Sequence, residues 1–192
     1  MAESKKVVIV GIAGVGKTTV VSKVVEILQV KNKSVNVCSF GTIMLEEAKK
    51  KGVENRDELR KLSVSEQKTL QSIAARRIAE TGEDIVIIDT HSFISTKAGF
   101  YPGLPHHVLE IIKPANFIMI SARPEEIYNR RMKDGTRNRD KISIEAIKKE
   151  LDISNAMLSS CSVLSGSPMR IVLNSEGKVE EVADTIVSAI GQ

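Results

Sequence analysis

Short runs of consecutive apolar residues recur along the chain, and helix-length segments separate them. Val7-Val8-Ile9-Val10, Asp84-Ile85-Val86-Ile87-Ile88-Asp89 and Phe117-Ile118-Met119-Ile120 show the pattern most clearly. The pattern predicts strands at about 5–10, 34–38, 84–89, 116–121 and 169–173, with helices in most of the gaps. Strands alternating with helical segments indicate a parallel sheet covered on both faces. Ser63-Val64-Ser65-Glu66 has the spacing of a capping box, which predicts a helix to about Glu80 with Gly82 past its end. Ile144, Ile147, Leu151 and Leu158 form one stripe at helical spacing and read as core. Residues 90–107 and 133–142 fit the rhythm less well. Irregular pieces at strand ends are where an α/β fold holds its ligands.

The first apolar run feeds directly into Gly11-Ile12-Ala13-Gly14-Val15-Gly16-Lys17-Thr18, which spells G-x-x-x-x-G-K-[ST]. A strand that enters a glycine-rich turn, which then opens a helix, points backbone N–H groups and the positive helix end at one place. Lys17 there reaches the outer phosphates of a nucleoside triphosphate, and the Thr18 hydroxyl takes a place on Mg²⁺. The chain is therefore expected to bind a nucleotide.

Composition narrows the setting. With 192 residues the chain can bury one core and needs no second domain. A formal charge of +4 does not by itself call for nucleic acid as a partner, but Arg123, Arg130, Arg131, Arg137 and Arg139 crowd one stretch and suggest a local anionic ligand. Cys38 and Cys161 lie far apart and outside any C-x-x-C pair, so both are expected to be buried or half-buried thiols of a reducing compartment. The N-terminal apolar run is too short for a secretory signal, and no run approaches the roughly 20 residues of a membrane span. The expectation is a soluble, cytoplasmic protein with no membrane and no nucleic-acid partner.

Asp89 closes the third strand beside the phosphate loop, where such a carboxylate holds Mg²⁺, often through water. Thr90 follows it rather than a water-polarising glutamate, residues 89–92 lack D-x-x-G, and N-K-x-D occurs nowhere. These residues favour a kinase over a motor or a switch. Arginines flank the turn Asp134-Gly135, and guanidinium groups bind phosphate oxygens in pairs. Folded over the phosphate loop, they would neutralise the charge of a transferring phosphoryl group, with Asp140 available to hold one of them.

Taken together these segments resemble the adenylate kinases, specifically the archaeal type. The resemblance runs over the whole chain: the phosphate loop, Ser39-Phe40-Gly41-Thr42-Ile43-Met44-Leu45-Glu46, Arg56-Asp57-Glu58-Leu59-Arg60-Lys61-Leu62, Asp89-Thr90-His91, Pro102-Gly103-Leu104-Pro105 and the arginine turn. It implies reversible, Mg²⁺-dependent transfer, ATP plus AMP giving two ADP, on an α/β P-loop fold. The implied sheet has five parallel strands in the order 2-3-1-4-5. It also implies a single domain with core 1–38, 82–132 and 141–192, an AMP-binding segment at about 39–81, and a short lid at about 131–140.

Carried over by residue, Gly11, Ile12, Ala13, Gly14, Val15, Gly16, Lys17, Thr18 and Thr19 hold the ATP phosphates. Phe40, Gly41, Thr42, Met44, Arg60, His91, Pro102, Gly103 and Leu104 form the AMP side. Lys17, Arg130, Arg137 and Arg139 are the catalytic candidates, and Thr18 and Asp89 those for Mg²⁺. Two departures stand out. Glu46 occupies the place of an AMP-binding arginine of bacterial and eukaryotic members, so some other residue must supply that contact, with Arg56 and Arg60 the nearest choices. The lid lacks a four-cysteine set, so no zinc is expected. Members of this type are often homotrimers, and the resemblance implies the same here.

An AMP phosphate oxygen is already anionic at neutral pH, so transfer needs no general base and rests on positioning and charge neutralisation. His91 accordingly reads as a shaping or structural residue of the AMP pocket, and His106-His107 as a surface or helix-start pair. Another P-loop small-molecule kinase, with Asp89 as base, is the alternative enzyme, and a nucleotide-dependent switch protein the alternative class. Asn174-Ser175-Glu176 is the candidate turn for the ATP adenine. Glu145-Ala146-Ile147-Lys148-Lys149-Glu150 reads as a solvated helix face.

Overall fold

The computed structural model describes residues 4–96, 99–133 and 143–192. The catalytic candidates Arg137 and Arg139, Asp140 and most of the expected lid lie outside the described residues. From the N-terminus the elements are β1 (Lys5–Val10), α1 (Lys17–Val30), β2 (Val35–Ser39), α2 (Phe40–Lys49), α3 (Arg56–Leu59), α4 (Val64–Ala79) and β3 (Ile85–Thr90). There follow β4 (Phe93–Thr96), β5 (Gly99–Pro102), α5 (His106–Ile112), β6 (Asn116–Ser121), α6 (Pro124–Lys133), α7 (Ile144–Ser165), β7 (Met169–Leu173) and α8 (Val179–Ala189).

β2, β3, β1, β6 and β7 form one sheet in that order, with every described pairing parallel. Counted among the sheet's own strands this is the expected order 2-3-1-4-5. Its apolar runs are buried on both faces. Val7 and Ile9 enter a core with Val20, Val24 and Leu28 of α1 and Val182 and Ile186 of α8. Val8 and Val10 enter a second core on the opposite face, with Phe40, Leu70, Ile78, Val108 and Leu158. Continuous rather than alternating hydrophobicity follows from that double burial.

The capping box at α4 forms as read: Ser63 Oγ accepts from Glu66 N, and the Glu66 carboxylate accepts from Ser63 N at 2.9 Å. The irregular stretch 90–107 contains an antiparallel hairpin, β4 against β5, with the rings of Phe93 and Phe100 packed edge to face at 5.1 Å. His106 and His107 open α5. Among the described residues no helix is long and apolar enough to cross a membrane.

The topology places the site. β1 pairs with β3 on one side and β6 on the other, so chain connections leave it in opposite directions. A crevice opens beyond the carboxyl ends of strands at such a reversal. The phosphate loop, Ser39-Phe40 and Asp89-Thr90-His91 all leave strands at that end.

Candidate active site

The loop after β1 reaches α1 through Gly14 at φ 91° and Gly16 at φ 84°, left-handed conformations that favour glycine. Gly16 caps α1 without a side-chain hydrogen bond, and the first turn of α1 holds no acidic residue. The N–H groups of that turn are thus left to an incoming anion, as the helix dipole favours. Thr18 and Thr19 sit there exposed.

Lys17 turns back over the loop. Its ammonium pairs with the Asp89 carboxylate and donates to Thr90 O at 2.9 Å. The β1–β3 register sets Ile9 opposite Asp89 and Val10 opposite Thr90, which brings the end of β3 to the mouth of the loop. The Asp89 side chain retains 31% exposure against 12% for Lys17, so the carboxylate meets the cleft. Next to it, His91 Nδ1 lies 3.2 Å from Gly11 O. A carbonyl only accepts, so Nδ1 carries the proton in this contact. The ring stays open to the cleft, but desolvation by the cleft walls and then the Lys17 cation push its pKa below the ordinary value. His91 is therefore neutral at neutral pH and holds the loop entrance.

A cleft of about 520 Å³ opens over the loop and runs between two walls of different character. On the loop side it is lined by Gly11, Ile12, Ala13, Gly14, Gly16, Lys17, Thr18 and Thr19, with Asp89, Thr90, His91, Arg130 and Arg131. The far wall is made by Ser39, Phe40, Gly41 and Met44 at the start of α2, by Arg56, Leu59 and Arg60, by Gln67 and Gln71 of α4, and by Ile94 and Gly103. One end of the cleft is thus rich in N–H donors and a lysine, and the other joins two arginines to an apolar floor.

Several expected residues fall outside the lining. Val15 is fully buried in the core below the loop. Thr42 is exposed and accepts from Arg56 Nη2 at 3.1 Å, so it steadies an arginine that lines the cleft. Pro102 offers its carbonyl to Gln71 Nε2 at 3.3 Å, and Leu104 is 2% exposed among core residues. Between them Gly103 lies against the backbone of His91 and donates its N–H to Ser92 O at 2.9 Å. Glu46, at the place of the missing arginine, pairs with Arg77 of α4 at 3.1 Å.

Gln67, Gln71, Leu59 and Ile94 line the cleft without any sequence expectation attached to them, whereas Arg131, also in the lining, belongs to the arginine-rich stretch expected to meet an anion. The glutamines carried a signal: two carboxamides four residues apart on the apolar stripe of α4, 6% and 1% exposed. Tyr101 Oη donates to Gln71 Oε1 at 3.4 Å, so the hairpin helps to hold that carboxamide. Arg130 donates to Gly14 O, Val15 O and Asn174 O, which sets it on the loop itself. The Asn174 turn, expected near adenine, here reaches the loop through Nδ2 to Val15 O at 2.8 Å.

Residues 10–148 match a family model described as an AAA domain. The chain is 38% identical over 190 residues to the adenylate kinase of Methanocaldococcus jannaschii, covering 98% of this chain and 99% of that protein. It is 45% identical over 184 residues to the adenylate kinase of Thermoplasma acidophilum, covering 95% and 97%. Among solved structures, a shikimate kinase from Acinetobacter baumannii in complex with shikimate superposes with a TM-score of 0.61 at 15% identity, covering 97% of this chain and 93% of that one. That likeness is one of fold.

Proposed function

This chain belongs to the adenylate kinase family and is a phosphotransferase of that family's reaction, ATP plus AMP giving two ADP; we propose that its cleft is a two-nucleotide site divided between the phosphate loop and the far wall. In this reading Gly11 to Thr19 receive the triphosphate of ATP, and Phe40, Gly41, Met44, Arg60, His91 and Gly103 receive AMP. The observation that supports it is a single cleft with the loop and Lys17 at one end and Arg56 and Arg60 at the other. An anionic acceptor requires cationic donors on its own wall, and a phosphoryl group crossing between two anions requires cations on both sides.

Mg²⁺ fits the oxygen donors present. Thr18 exposes a hydroxyl at the loop, and the Asp89 carboxylate is reachable from the cleft. Because Lys17 holds Asp89, the carboxylate would reach the ion through water. The ion, when bound, offsets charge on the phosphate oxygens. The protein's own part is to orient: loop N–H groups and Lys17 fix the donor, Arg56 and Arg60 fix the acceptor, and Arg130, with Arg137 and Arg139 beyond the described residues, meets the transferring group. No proton need leave the acceptor oxygen, so neutral His91 performs no acid–base step. A cytoplasmic homotrimer, as the resemblance implies, belongs to the same reading, and sedimentation of the purified chain measures the assembly.

The test is ADP formation from MgATP with each nucleoside monophosphate offered in turn. Rapid ADP production with AMP and slow production with GMP, CMP and UMP is expected; activity with none of them would remove the two-nucleotide reading. Arg60→Ala should raise the KM for AMP about tenfold to a hundredfold, as expected for loss of charge-assisted hydrogen bonds. The KM for ATP should stay within about twofold of the parent. Arg56→Ala should act in the same direction, and an effect confined to ATP would move both residues out of the acceptor half.

A further inference from the structure

The phosphate loop is gripped from outside by side chains of two later segments, α6 and the turn after β7. Arg131 Nε donates to Ala13 O at 2.8 Å, and Asn174 Nδ2 donates to Val15 O at 2.8 Å. A trans peptide directs its C=O and its N–H to opposite sides. Fixing Ala13 O and Val15 O therefore fixes the directions of the Gly14 and Gly16 N–H groups, two of the donors that a phosphate would meet. An added Cβ on Gly14 would stand 3.1 Å from Arg131 Cγ, so α6 lies directly against the loop.

Both grips are themselves anchored. Arg131 Nη2 donates to Glu150 of α7 at 2.7 Å, with side chains only 8% and 27% exposed. Glu150 had the sequence signature of a solvated helix face. Asn174 is 3% exposed, and its N–H donates to Ser121 O at the end of β6 at 2.8 Å. Its Oδ1 is buried without a partner among the described residues. A buried amide with one end unmet costs stability, which leaves the bond from its nitrogen as the reason for an asparagine here. Neither Glu150 nor Asn174 is among the residues lining the cleft.

We propose that Glu150, acting through Arg131, and Asn174 are positioning residues for the ATP half of the site, holding the phosphate loop in its donor-inward form. The proposal rests on the reading of Gly11 to Thr19 as the triphosphate site and extends it to residues outside the cleft lining. Glu150→Ala releases Arg131, whereas Glu150→Gln keeps an acceptor oxygen for it. Asn174→Leu keeps the branch at Cγ, with somewhat greater bulk, and removes the bond to Val15 O, which retains Arg130 at 3.3 Å.

The test is calorimetric binding of MgATP alone, and separately of AMP alone, to the full chain and these three variants. Glu150→Ala and Asn174→Leu should each weaken MgATP about tenfold, the scale of one lost hydrogen bond between well-placed groups. Glu150→Gln should return to within about threefold of the parent. AMP affinity should stay at the parental value in all three, and each chain should remain folded, with a midpoint no more than about 10 °C below the parent. Unchanged MgATP affinity in both disruptive variants, equal losses for MgATP and AMP, or a Glu150→Gln chain that binds MgATP no better than Glu150→Ala would each overturn the proposal. The two Glu150 substitutions decide alone if Asn174→Leu does not fold. A parent chain that binds no MgATP would instead overturn the reading of the loop, and no acceptor enters this measurement.

Discussion

Lys17→Met should lower turnover about a thousandfold or more while the chain remains folded. The ammonium is the one loop cation that can follow the transferring phosphoryl group, and removing a preorganised donor of that kind costs on the order of a hundredfold to a thousandfold even where it is neutral. A cation meeting a multiply charged transition state sits at the upper end of that range. The fold should tolerate the change. Methionine keeps most of the length of the lysine stem, and the Asp89 carboxylate left behind is 31% exposed and meets water. The stability cost should stay near about 1 kcal/mol, as for partly solvated ion pairs, or about 2–4 °C in midpoint for a chain of this size. Initial rates of ADP formation, with a thermal melt on the same sample, measure both. Turnover within about tenfold of the parent would take Lys17 out of the mechanism.

Gly103→Ala should be the most destabilising added methyl among the described glycines. The new Cβ would stand 1.9 Å from His91 O and 3.0 Å from His91 C. Both are backbone atoms, so no rotamer change relieves the clash. Gly103 would have to withdraw, breaking its bond to Ser92 O and lifting Leu104, which is 2% exposed, from the second core. Overpacking with a lost backbone bond amounts to about 2–4 kcal/mol, a fall in midpoint of about 5–15 °C. What folds should also bind AMP poorly, because Gly103 and His91 both line the cleft. A midpoint within about 2 °C of the parent would show that the turn can move away at little cost.

The strands were legible because each is buried on both faces. An uninterrupted apolar run such as Ile85-Val86-Ile87-Ile88 has few other uses in a chain of this length, and β3 begins within one residue of its expected position. The hairpin β4–β5 was not legible. Its strands are four residues each, partly exposed, and joined by Lys97-Ala98, which carries none of the residues that announce a tight turn. Ile94 in the cleft wall escaped notice for that reason.

The donor end of the cleft was readable as one contiguous motif. The far wall draws on α2, α3, α4, the hairpin and Gly103, so no local spacing reports it. Glu150 shows the same limit more sharply. Preceded by two lysines in a charged run, it looks like a solvated charge, and only the packing of α7 beside α6 turns it toward Arg131. Glu46 is the converse case: a substitution that the resemblance flagged has a structural partner, Arg77, on the neighbouring helix.

The central claim is direct transfer between two nucleotides held in one cleft. ATP labelled at its γ-phosphorus, mixed with Mg²⁺, AMP and the chain, tests it at early times before the reverse reaction spreads the label. The account predicts that the label appears in the β-phosphate of ADP at the rate at which AMP disappears, with none in inorganic phosphate. Label released as inorganic phosphate at a rate independent of AMP would contradict it.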